Sequence, residues 1–98
     1  HEPMARDAGL PEAVIQAIKV GDEPAFEDDG DETAWRLCTA LHRDKRVDDA
    51  TYAAAVAIHG EEGVADLIHT LGYYVLVCMT LNTFEVQLPA GALPPFPA

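Results

Sequence analysis

The densest apolar block is Leu71 to Leu81, LGYYVLVCMTL, eleven residues without a charge in an otherwise acidic chain. Tyr73 to Met79 is apolar throughout and lacks the alternation of a half-buried strand, so the block reads as helix. A surface helix carries one apolar stripe, so a rod that is apolar all round needs cover on nearly every side. At eleven residues the block falls short of the ~20 that a bilayer-crossing helix needs. Two placements remain open: the centre of a helical core, or a wall that a second subunit completes.

The rest of the pattern is helical too. Residues 1–8 read as the tail of a helix stopped by Gly9 as a left-handed cap. Pro11 opens a second helix at its first position, where a missing N–H costs nothing. Val14, Ile15 and Ile18 form its stripe and Gly21 ends it. Asp22 to Glu32 holds seven carboxylates and no cation, with Pro24 and Gly30, and reads as a solvated loop anchored by Phe26. Its composition suggests calcium, but it lacks the ordered ligand spacing of an EF-hand loop.

Asp31 is the expected N-cap of a third helix, with Ala34, Trp35, Cys38, Leu41 and His42 on its apolar face. Arg43, Lys45 and Arg46 suit that helix's negative end. Asp48 caps a fourth helix from about Asp49 to His59, with Tyr52, Ala53 and Val56 facing inward and Gly60 as terminator. A fifth runs from Glu61 or Glu62 to Thr83. Residues 87–98 contain four prolines and read as an extended, polyproline-like arm that Leu88, Leu93 and Phe96 could dock. The expected fold is all-α, a single domain over residues 1–98.

Charge narrows the partners. Seventeen acidic against six basic residues give a net charge of −11, which repels phosphate backbones and anionic membrane surfaces. Neither nucleic acid nor membrane is an expected partner. Cys38 and Cys78 lie among bulky apolar neighbours and read as buried, inert thiols suited to a reducing, cytoplasmic compartment. The sequence leaves a disulfide between them open. His42, His59 and His69 share no helical face at metal-ligand spacing, so no metal site is expected. His42 and His59 stand at helix C-termini, where partial positive charge is favourable. Tyr73 and Tyr74 read as packing residues, each phenol needing one partner.

Four landmarks occur in order along the chain: His1-Glu2-Pro3-Met4-Ala5-Arg6-Asp7-Ala8-Gly9-Leu10; Gly60-Glu61-Glu62-Gly63-Val64-Ala65-Asp66-Leu67-Ile68; Leu71-Gly72-Tyr73-Tyr74; and Leu81-Asn82-Thr83-Phe84-Glu85-Val86 with Leu88-Pro89. Together they resemble the carboxymuconolactone decarboxylase family, within the alkylhydroperoxidase-like superfamily. The resemblance implies the later part of that helical domain, without its first helices, in a homo-oligomer. It also implies a cofactor-free lyase acting on a lactone or related organic acid of aromatic compound catabolism. His1 matches the family's proton-carrying histidine and is the expected catalytic residue, in a pocket walled partly by the Leu71–Leu81 helix. Loss of CO₂ leaves an enolate-like carbanion, and a histidine of ordinary pKa can protonate it near neutrality.

Two other functions follow from the same reading. A branch of the superfamily with peroxiredoxin activity reduces hydroperoxides through a Cys-x-x-Cys pair. This chain has no such pair, which disfavours that activity. A non-catalytic oligomerisation module is the remaining alternative.

Overall fold

The computed structural model describes residues 1–94, so Phe96 lies outside the described residues. Every regular element among them is an α-helix: α1 Glu2–Asp7, α2 Glu12–Val20, α3 Asp29–Asp44 and α4 Asp49–Thr83. Phe84 to Leu88 forms no strand. The chain divides into two compact units, His1–Glu27 with the segment from Gln87, and Asp28–Val86.

In the first unit, α1 and α2 are joined by a tight reversal. Gly9, at φ 94°, takes the left-handed conformation that a side chain resists, and this turns the chain out of α1. The Leu10 amide donates to the Ala5 carbonyl (3.0 Å) and the Gly9 amide to Arg6 (3.1 Å), the paired bonds of a Schellman cap. Pro11 stands one position earlier than expected, as the N-cap of α2. Val14 and Ile15 are buried as the stripe predicts, but Ile18 is exposed. At the other end of the unit, the Pro-rich arm is interrupted by a turn in which the Ala92 amide donates to Pro89 (3.0 Å). Leu88 and Leu93 are exposed.

The second unit is a packed pair of elements, with a bend in the second. α3 begins earlier than Asp31. Asp28 is the N-cap, its carboxylate accepting the Gly30 amide (3.4 Å), and Asp29, Asp31 and Glu32 fill the first turn. Carboxylates there complement the positive helix end, so part of the acidic run is helix rather than loop. α4 breaks at Gly60 into two helical segments, 49–59 and 61–83, as the sequence predicts. Gly60, at φ 71 and ψ 169 degrees, occupies a region that essentially only glycine enters. A Cβ at Gly63 would stand 2.8 Å from the His59 Cβ, so the second segment can start this close to the first only without a side chain there.

The core of this unit is Leu37 on α3 against Ala55 and Val64 on the two segments of α4, with Leu41, Val47, Val56 and Leu67 around it. This shifts the faces read from sequence. The α3 face centres on Leu37, with His42 in solvent, and the 49–59 segment buries Ala55 while Tyr52 and Ala53 are exposed. An alanine-rich helix packs through whichever small residue permits the closest approach, which hydrophobicity alone does not mark.

Residues 61–83 bear on the two placements that the sequence left open. Val64 is buried, but Tyr73 and Leu76 are each 60% exposed and Met79 64% exposed. The rod is therefore not the centre of this chain's own core. The charge-free run is also longer than the Leu71–Leu81 block, extending within and just past one helix from Leu67 to Phe84. By length and composition alone, with a mean hydropathy of 1.5 over eighteen residues, α4 is long and apolar enough to cross a membrane.

Candidate functional site

The first unit holds a cavity of about 300 Å³ built from residues of α1, the reversal and α2. Ala5, Leu10, Ile15 and Ile18 give it apolar walls. His1, Glu2 and Lys19 are its polar lining residues. Its size is at the lower limit for small-molecule sites, which run from about 300 Å³ upward. All the described lining belongs to residues 1–19, so the wall assigned to Leu71–Leu81 is not part of it.

His1 is positioned by its place as the N-cap of α1, where its carbonyl accepts the Ala5 amide at 2.9 Å. The two helices are tied beside it by an ion network. Arg6 donates from Nε to Glu12 Oε2 (2.8 Å) and from Nη2 to Glu12 Oε1 (2.9 Å). Such a bidentate pair is a strong, geometrically specific link, and here it bridges α1 and α2. Arg6 Nη2 also reaches Glu2 Oε1 (3.2 Å), and Lys19 Nζ donates to the same oxygen (3.3 Å). Gln16 Nε2 adds a bond to Glu12 Oε1 (2.9 Å).

These contacts favour the charged forms. The Arg6 guanidinium, with help from Gln16, holds the Glu12 carboxyl down to about 2. Arg6 and then Lys19 hold Glu2 below its ordinary value, while Glu12 and Glu2 push Arg6 upward. The Arg6–Glu12 bridge is solvent-facing, so its role is to set the geometry of the helix pair more than to stabilise the fold.

Sequence reading found His1 but missed Glu2 and Lys19. The available signal was helical: Lys19 follows Ile15 by four positions, on the face that Ile15 buries.

The other singled-out residues lie elsewhere. Cys38 is half-buried, and burial pushes its thiol up. Cys78 is exposed on α4, contrary to its expected burial. His42 and His69 are exposed, whereas His59 bonds across to α3. Among the described residues, no three His, Cys, Asp or Glu converge as a metal-binding group. Tyr73 and Tyr74 pack edge-to-face on one another, with centroids 5.5 Å apart, yet both are exposed. No family model, curated protein or solved structure matches the chain.

Proposed function

We propose that this chain is a carboxymuconolactone decarboxylase-like enzyme, a cofactor-free lyase acting on a lactone or related small organic acid. The observation that carries the reading is His1 among the lining residues of a small, largely apolar pocket. The ordered landmarks from His1-Glu2-Pro3 to Leu88-Pro89 agree with it. In the proposed step the C–C bond to the substrate carboxylate breaks and CO₂ leaves. The electron pair remains as an enolate, and the His1 imidazolium delivers a proton to carbon.

Two free thiols accord with a reducing cytoplasm as the compartment. A hydroperoxidase needs a thiolate near neutral pH, and the upward-shifted thiol of Cys38 argues against that activity.

The proposal includes a homo-oligomer, with the exposed face of residues 67–84 covered by another copy. That stretch is free of charge in a chain of net charge −11, so copies meet there with the least repulsion. Two of its threonines already bond inward, Thr70 Oγ1 to Asp66 O (2.8 Å) and Thr80 Oγ1 to Leu76 O (3.0 Å). The face can therefore lose water without leaving those hydroxyls unpaired. A bilayer suits it less well, because Gly72, Tyr73 and Tyr74 would fall near the midplane, whereas tyrosines favour the membrane surface.

The test is decarboxylation of carboxylated lactones by the full-length chain and its His1→Gln variant. A loss of about 10²–10⁴-fold in kcat is expected for a positioned proton carrier. Unchanged turnover in the variant removes the assignment. A variant that is inactive like the parent, with assembly intact in both, favours the second reading, an oligomerisation module. The exposure of Leu76 and Met79 is the observation on which that second reading stands.

A further inference from the structure

We infer that Lys19 is the anchor for the carboxylate of a compact apolar ligand in the His1 cavity, and that Glu2 occupies this anchor until the ligand displaces it. The inference rests on the reading of the cavity as a substrate site and adds the residue that recognises the acid.

Lys19 is the one lysine or arginine among the described lining residues of a largely apolar hollow, so a ligand's carboxylate has an ammonium to meet there. The side chains of Lys19 and Glu2 are both largely covered, at 28% and 27% exposed. Their pair is therefore less screened than a fully solvated one. The exchange also leaves no charge stranded. Glu2 Oε1 is shared between Lys19 Nζ (3.3 Å) and Arg6 Nη2 (3.2 Å), so a carboxylate that displaces Glu2 from Lys19 leaves Glu2 on Arg6. Arg6 keeps its two bonds to Glu12, and the link between α1 and α2 survives ligand entry. A neutral ligand of the same shape cannot compete with Glu2 for the ammonium.

The experiment is titration of the full chain with benzoate and with benzamide, followed by the NMR shifts of the Ala5 and Ile15 methyl groups. Benzoate should bind at least tenfold more tightly than benzamide, as a charge-assisted contact requires. Lys19→Met should abolish that preference, and Glu2→Gln should tighten benzoate several-fold by freeing the ammonium. Equal binding of the two probes, a preference that persists in Lys19→Met, or no shift with either probe overturns the inference. Binding does not depend on turnover. A failed anchor with His1-dependent decarboxylation leaves the enzyme reading intact, and a sound anchor without decarboxylation removes only the chemistry.

Discussion

His59 Nε2 lies 2.9 Å from Thr33 Oγ1, so the last residue before the α4 bend is fastened to the first turns of α3. The same nitrogen is 3.1 Å from the Gly30 carbonyl. A carbonyl can only accept, so Nε2 carries the hydrogen. The Thr33 hydroxyl donates to the carbonyls of Asp29 (2.9 Å) and Gly30 (3.1 Å), leaving a lone pair for the imidazole. His59→Ala should cost about 1–2 kcal/mol, the usual range for a partly buried hydrogen bond with its packing. Thr33→Val should cost less, and the double variant less than the sum, because one contact is lost twice. Strict additivity in urea denaturation would contradict the contact.

What the sequence disclosed and what it hid divide along physical lines. Helix ends were legible because they are set by local chemistry: the left-handed Gly9 and Gly21, the Asp48 cap and the break at Gly60. The Asp28 cap was hidden within a run of carboxylates, any of which could serve. Helix phase was harder. Alanines on the 49–59 segment carry no periodic signal, so Tyr52 was read inward although Ala55 is the residue in the core. His1 was visible only through family resemblance, since a terminal histidine has no spacing to argue from. Lys19 shares the Ile15 face at a spacing of four, but its meeting with Glu2 depends on a helix reversal, which that spacing does not encode.

Leu37 is 1% exposed and central to the second unit, and Tyr52 is 46% exposed. Leu37→Ala should lower stability by about 2–5 kcal/mol through lost burial and the cavity left behind. Tyr52→Ala should change it by about 0.5 kcal/mol or less, as exposed substitutions do. Thermal or urea unfolding of the two variants measures the contrast, and a larger loss from Tyr52→Ala would overturn the helix phase.

Acid should loosen the first unit late. Glu12 is held down to about 2 from an ordinary 4.5, chiefly by Arg6. A depressed carboxyl contributes its stabilisation fully above the unfolded value, and that contribution fades as pH falls through the folded one. The Arg6–Glu12 bridge should therefore persist at pH 4 and weaken towards pH 2, and high salt should shrink the effect because the pair is solvent-facing. Carboxyl-carbon NMR of Glu12 reads this directly, and a midpoint near the ordinary 4.5 would refute the bridge.

The two thiols should report on assembly. Cys38 is half-buried with its thiol shifted upward, so alkylation at neutral pH should be slow at every protein concentration. Cys78 is exposed on the face assigned to the neighbouring copy. It should react quickly in dilute protein and become protected as concentration rises. Mass spectrometry of peptides after a pulse of alkylating reagent separates the two sites. A Cys78 rate independent of concentration would count against a covered face.

Sedimentation velocity at micromolar concentration is the most direct test, run on the parent chain and on Leu76→Glu and Met79→Glu variants. The parent should sediment at a multiple of its 10.6 kDa mass. Each new carboxylate, placed on the 67–84 face, should shift the protein towards monomer while far-ultraviolet circular dichroism stays helical. A parent that sediments as a stable monomer, with Leu76 and Met79 open to water, would contradict the account.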